Sequence, residues 1–176
     1  MFYRTLIIML FIINFSQASV NELKNLKTLQ ANFIQTIDSS NGTKIEYRGY
    51  LYIKNSGKIL WSYKEPILKN VFVDGKIVII DEPELEQAIY TNLENQVDIL
   101  KLLNDAKHIK DNLYKTTIEN IEYDIILNNK KIDKISYKDE LENNIEIRLE
   151  NTIYDEDIND NIFIFILPSN YDLIRK

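Results

Sequence analysis

From Ala31 to Ile166 the chain keeps returning to one pattern: apolar residues at every second position, broken by short turn-forming clusters. That combination restricts it to an antiparallel meander, because alternation fits a half-buried strand and tight turns can only join antiparallel neighbours. Phe33, Gln35 and Ile37 alternate with Asn32, Ile34 and Thr36, and Ser39-Ser40-Asn41-Gly42 then turns the chain. Asn-Gly is the strongest short hairpin signal. On the return strand, Ile45, Tyr47, Gly49, Leu51 and Ile53 share one face, with Glu46, Arg48, Tyr50, Tyr52 and Lys54 on the other. A turn at Asn55-Ser56-Gly57-Lys58 leads to a strand bearing Ile59, Trp61 and Tyr63, which ends at Pro66. A further hairpin runs from Asn70 to Val73, turns at Asp74-Gly75 and returns from Lys76 to Ile80. Asp81-Glu82-Pro83 breaks it ahead of a short strand near Gln87 to Tyr90. Later strands are expected at Tyr114 to Ile118, Ile121 to Leu127, Lys131 to Lys138, Asn144 to Leu149 and Asn161 to Ile166, with Pro168 closing the last.

Two segments depart from this period. Val20 to Gln30 places Leu23, Leu26 and Leu29 at helical spacing, with Lys24 and Lys27 on the opposite side. Glu94 to Lys107 repeats Val97, Leu100, Leu103 and Ala106, and Ile99 widens the stripe. A sheet of about ten strands curls rather than staying flat, and amphipathic helices must bury their stripes against it. The expected fold class is therefore α+β: a curled antiparallel sheet forming an unclosed β-barrel of about ten strands, covered by a lid of two or three α-helices.

The first eighteen residues read as a leader. Arg4 is a basic start, Leu6 to Ile13 is an unbroken apolar run, and Ser16-Gln17-Ala18 places small residues where a signal peptidase cuts. A spanning helix would need roughly 20 apolar residues, and Asn14, Ser16 and Gln17 stop this one short. The expected organisation is a cleaved signal peptide at 1–18 and one domain at 19–176. The formal net charge of −6 argues against nucleic acid and against adhesion to an anionic membrane. With no cysteine, the chain can form no disulfide, no thiol nucleophile and no cysteine-linked lipid anchor.

Catalytic and metal signatures are sparse. His108 is the only histidine, and its neighbours Lys107 and Lys110 mark it as a solvated surface group. One histidine without cysteine makes a poor zinc site. Gly42, Gly49, Gly57 and Gly75 are scattered rather than clustered into a phosphate loop. Asp155, Glu156 and Asp157 fit a polar loop better than a carboxylate pair. The expectation is a protein without catalysis, cofactor or metal.

Several local patterns occur together. Leu29-Gln30-Ala31-Asn32-Phe33-Ile34-Gln35 resembles the helix-to-strand passage of the LolA family. Gly49-Tyr50-Leu51-Tyr52-Ile53-Lys54 resembles its Gly-x-Leu-x-x-Lys strand, and Trp61-Ser62-Tyr63-Lys64-Glu65-Pro66 its Trp-x-x-x-x-Pro ending. Val73-Asp74-Gly75-Lys76, Pro83-Glu84-Leu85-Glu86-Gln87-Ala88 and Phe163-Ile164-Phe165-Ile166-Leu167-Pro168 resemble later signatures. The resemblance implies an unclosed barrel lidded by helices. It also implies a monomeric periplasmic carrier that takes acylated lipoproteins from an inner-membrane ABC transporter to an outer-membrane acceptor. In the family an Arg that latches the lid follows the Lys of the Gly-x-Leu-x-x-Lys strand. Asn55 stands at that position here, so Arg48, Lys54 and Lys58 become alternative latch groups.

For such a role the candidate cavity lining is the same-face set Leu51, Ile53, Ile59, Trp61, Tyr63, Val71 and Val73. The lid residues are Leu23, Leu26, Val97, Leu100 and Leu103. Trp61 offers the largest amphipathic surface, and Trp61→Glu is expected to abolish cargo acceptance while sparing the fold. The same residues could equally fill a solid core, and periodicity does not separate the two. Two other functions stay open at this point: a regulatory or sensing lipid-binding domain on the same scaffold, and a secreted carboxylate-based hydrolase.

Overall fold

The computed structural model describes residues 23–92 and 99–176, without the side chain of Leu100. The expected leader lies outside the described residues. In chain order the strands are β1 (Thr28–Asp38), β2 (Lys44–Lys54), β3 (Lys58–Glu65), β4 (Lys69–Asp74), β5 (Ile77–Glu82) and β6 (Gln87–Asn92). Helix α1 (Ile99–Asp105) follows. After it come β7 (Lys107–Lys110), β8 (Leu113–Ile118), β9 (Ile121–Asn128), β10 (Lys131–Lys138), β11 (Asn144–Tyr154) and β12 (Asp172–Arg175).

All twelve strands form one sheet in the order β12-β6-β5-β4-β3-β2-β1-β11-β10-β9-β8-β7. The edges β12 and β7 do not pair, so the curled sheet is unclosed. Every pairing is antiparallel except that of β12 with β6. β1 sits at the centre, where it joins the meander of β2 to β6 to the meander of β7 to β11.

Register turns the alternating pattern into continuous rows across the inner face. Leu29, Ile53, Ile59, Val73 and Val78 form one row, and Ala31, Leu51, Trp61, Val71 and Ile80 the next. On the other half, Ile147, Ile135 and Ile125 continue a row that starts at Gln35. The apolar side chains of these rows except Ile80, with Leu23, Leu26, Ile99, Leu102 and Leu103, belong to a single buried apolar cluster on the inner side, and Ile80 packs against it. A second cluster of Leu60, Ile158 and Phe163 lies on the outer face, where the C-terminal segment crosses it.

Four expectations change. The helix over Val20 to Gln30 is not observed to that end: β1 starts at Thr28, and Leu29 and Gln30 pair with both β2 and β11. A central strand gains ladder bonds on two sides, which outweighs the helical spacing of three leucines. The helix over Glu94 to Lys107 is described only at Ile99–Asp105, and its end is earlier because Lys107 pairs with Lys115. Its buried face is Ile99, Leu102 and Leu103, with Ala106 buried just past its end, so Leu102 is added to the expected stripe and Val97 lies outside the described residues. The strand over Asn161 to Ile166 is instead a 3-10 turn at Asp160–Phe163. There the Asn159 side chain accepts the Asn161 N–H and caps the turn, and Phe165 packs against Phe72 and Tyr90 rather than joining a ladder. The terminal strand is β12, beyond Pro168. As to the lid, the described residues contain one α-helix, α1.

The turns follow their local chemistry. Gly42 takes φ +84° in the β1–β2 loop, and Gly75 takes φ +60° as the first loop residue between Asp74 and Ile77. The β10–β11 loop repeats the geometry of the β1–β2 loop, with Glu142 at φ +65° where the first has Gly42.

Candidate functional site

A cavity of about 220 Å³ opens on the inner side of the sheet, toward the strand ends that carry the β1–β2 and β10–β11 loops. Trp61, Val71, Ile80, Ile37 and Ile147 supply apolar wall, and Gln35, Tyr47, Tyr63, Lys69 and Tyr137 supply polar atoms. Both halves of the sheet contribute, because the register rows bring β1 to β5 and β10 to β11 around one hollow. Gln35, Ile37, Tyr47, Lys69, Ile80 and Tyr137 are only half-buried, which makes the hollow reachable from solvent.

The seven expected lining residues divide in two. Trp61, Tyr63 and Val71 reach the cavity. Leu51, Ile53, Ile59 and Val73 are buried deeper, in the cluster shared with Leu23, Leu26 and Leu103. Of the expected lid residues, Leu23, Leu26 and Leu103 are therefore buried on the same inner side as the lining. Val97 and the side chain of Leu100 lie outside the described residues.

Phe33 organises the wall. Its ring meets Trp61 and Tyr63 edge-on, each at 5.0 Å between centroids, and Tyr47 meets Tyr63 at 5.8 Å. The Tyr63 hydroxyl donates to the Gln35 side-chain oxygen at 3.0 Å. Burial, reinforced by Tyr47, holds the Tyr63 phenol far above its ordinary range, so it stays a neutral donor. Burial does the same to Tyr137, with smaller contributions from Tyr123, Tyr63 and Asp139. Lys69 lies 4.4 Å from the Tyr63 ring centroid and 5.8 Å from that of Tyr47. Burial lowers the pKa of its ammonium, and Glu82 partly opposes that.

Two larger hollows lie elsewhere on the molecule. One of about 840 Å³ has a carboxylate-rich wall including Asp38, Glu119, Glu122, Asp124, Asp139 and Glu146. Another of about 500 Å³, between the outer sheet face and the C-terminal segment, is lined by Tyr50, Tyr52, Leu60 and Ile158 among others. Only one sheet face and a strap of chain bound it.

The N-terminal segment is anchored by backbone groups. Asn55 N–H donates to the Lys27 carbonyl at 2.9 Å, and Lys27 N–H donates to Asp155 Oδ1 at 2.7 Å. Asn55 thus touches this segment through its main chain. Lys54 and Lys58 pair with Asp160 of the C-terminal turn, and Arg48 pairs with Glu46, so these cations serve the sheet's periphery. Asp155 and Glu156, which also accepts the Thr28 hydroxyl on its carbonyl at 2.6 Å, have structural work at the end of β1. His108 is exposed on the edge strand β7, 2.9 Å from the Asp111 carbonyl.

The described part of α1 spans Ile99–Asp105 and has Ile99, Leu102 and Leu103 at 0–1% exposure. Burial of this face makes packing the main hold on the described turns. Leu103→Ala is expected to cost about 3 kcal/mol of its seating. Hydrogen exchange should show α1 amides opening sooner while β1 and β2 keep their protection.

Sequence reading missed Lys69, Ile80, Tyr137 and Ile147 as wall residues. Tyr47, Gln35 and Ile37 were placed on the correct strand faces, but nothing in the pattern marks where along a face the packing ends and a hollow begins.

An unclosed sheet curled around a hollow with both apolar and polar walls is an open receptacle. A family model described as outer membrane lipoprotein carrier protein LolA matches residues 24–131. An outer-membrane lipoprotein carrier protein of Wolinella succinogenes is 31% identical over 92% of this chain and 95% of its own length. One from Campylobacter jejuni is 36% identical over 86% of this chain and 88% of its own length. Among solved structures, a LolA superfamily protein of Nitrosomonas europaea shares the fold at a TM-score of 0.51 and 11% identity, covering 80% of this chain and 91% of that one. An uncharacterized conserved protein of Thermus thermophilus shares it at a TM-score of 0.54 and 10% identity, covering 89% and 95%. The chain belongs to the LolA family.

Proposed function

We propose that this chain is a periplasmic lipoprotein carrier, which shields the acyl chains of lipoproteins on the inner side of its sheet during passage to the outer membrane. The observation that supports this most is the solvent-reachable hollow on the inner face, whose apolar wall residues Trp61, Val71 and Ile147 belong to the buried cluster beneath α1. Each buried CH₂ is worth about 0.8 kcal/mol, so a chain of about 16 carbons carries on the order of 13 kcal/mol. Escape into water is negligible at that value, and a carrier must offer equivalent apolar surface. At about 220 Å³ the hollow is smaller than the roughly 300–1,000 Å³ of ordinary ligand pockets. Loading therefore requires α1 and the N-terminal segment to move off the inner face and expose Leu51, Ile53, Ile59 and Val73. In this reading Leu23, Leu26 and Leu103 belong to the lid, with Val97 and Leu100 completing it.

Residues 1–18 act as a cleaved leader, and 19–176 form one domain that works as a monomer. Cargo comes from an inner-membrane ABC transporter and goes to an outer-membrane acceptor. The chain carries no Walker-type phosphate loop of its own, so release follows the higher affinity of the next acceptor. No step calls for catalysis or a cofactor.

Ile80→Trp tests the assignment. The larger ring fills the hollow from a half-buried wall position, so thermal stability should hold or rise. Binding of a fluorescent fatty-acid probe should fall at least about tenfold. A stable variant that binds the probe as well as the unaltered protein would place the acyl site elsewhere.

A further inference from the structure

Lys69 is a cation placed where a carrier of plain hydrocarbon needs none. It lines the inner hollow together with Trp61, Val71 and Ile80. Its ammonium rests over the Tyr63 ring at 4.4 Å, and its register partner across β3–β4 is Tyr63 itself. Among the described residues no carboxylate lies within ion-pair distance of it. Glu82, the acid that acts on it through space, accepts a hydrogen bond from Gln87 instead. Ring faces attract a cation but leave its N–H groups unsatisfied as donors. A half-buried ammonium in that position gains from an oxygen acceptor arriving with the guest.

We propose that Lys69 is the polar anchor of the acyl site and takes the oxygen-bearing end of the ligand, a carboxylate or ester carbonyl, while the chain runs along Trp61, Val71 and Ile80. This rests on the carrier reading for the chain itself and adds the orientation: acyl oxygens at the Lys69 rim, methyl end toward the cluster beneath α1. Free fatty acid and acylated lipoprotein both present such oxygens, and the site recognises that shared chemistry. Gln35, Tyr47 and Tyr137 add polar atoms at the same rim.

The test compares three fluorescent probes on the whole protein: parinaric acid, its methyl ester and the hydrocarbon diphenylhexatriene. Lys69→Met keeps most of the side chain's packing and removes the charge. It is expected to weaken parinaric acid about tenfold or more, the ester about threefold, and diphenylhexatriene not at all. Lys69→Arg should restore acid binding. Loss confined to the acid identifies a carboxylate as the preferred group, and loss for acid and ester alike identifies the acyl carbonyl. Should Lys69→Met fail to fold, Lys69→Gln carries the same comparison. Unchanged parinaric acid affinity in the uncharged variant overturns the anchor and leaves the carrier reading standing. Failure of the unaltered protein to bind any of the three overturns both.

Discussion

Gly49→Ala is expected to destabilise the protein by about 3 kcal/mol, although alanine is a small residue and Gly49 lies in a strand. An added Cβ would stand 2.1 Å from the Ser62 carbonyl oxygen and 2.9 Å from Phe33 Cε1. The first neighbour is backbone, at a point where the β2–β3 register shifts between Arg48 and Gly49. The second is the ring that holds Trp61 and Tyr63 edge-on. Neither can yield without disturbing the sheet or the aromatic wall. Urea unfolding followed by circular dichroism should show a lowered midpoint, and fatty-acid binding should fall because the displaced Phe33 ring carries the cavity wall with it. A midpoint within error of the unaltered protein would mean that β2 and β3 shift apart at no cost there.

Trp61→Glu should cost more, about 4 kcal/mol or above, a large part of the roughly 5–15 kcal/mol that holds a domain together. Trp61 is 4% exposed and its ring packs against Phe33. The substitution deletes that packing and buries a carboxylate in a largely apolar cluster, with Lys69 at the rim of the same hollow offsetting only part of the desolvation. The sequence-based expectation that this variant spares the fold is therefore revised: the residue borders the hollow from within the core. Trp61→Phe preserves the edge contact and should remain folded with a cost of about 1–2 kcal/mol. If Trp61→Glu melted with the unaltered protein, the indole would have to be far more accessible than its burial indicates. As the chain's single tryptophan, Trp61 also reports occupancy, since an acyl ligand beside it should shift its fluorescence.

The sheet was legible in the sequence because its signals are local. Alternation assigns each side chain a face, and Asn41-Gly42 and Asp74-Gly75 fix where the chain reverses. Leu51, Ile53, Ile59, Trp61, Tyr63, Val71 and Val73 were correctly grouped on one face for that reason, and each is buried at 9% exposure or less. The errors fall where a pattern has two uses. Leu23, Leu26 and Leu29 suit a helix or the start of a central strand, and pairing with β2 and β11 decided for the strand at Leu29. Phe163 and Phe165 suit a strand or an apolar strap, and the outer face offered Phe72 and Tyr90 as partners. The parallel pairing of β12 with β6 had no signal, since Asp172–Arg175 finds its neighbour only after the chain has crossed the sheet.

The sequence alone determined the architecture, an antiparallel meander that must curl, and the face on which apolar residues gather, because both follow from contacts between near neighbours in the chain. Only the tertiary structure decided how far packing fills that face. It brought Trp61, Val71 and Ile80 opposite Tyr137 and Ile147 and left a hollow between them with Lys69 at its rim. Alternation specifies which side of a strand a residue occupies, but the distance between the two halves of a curled sheet depends on twist accumulated over all twelve strands.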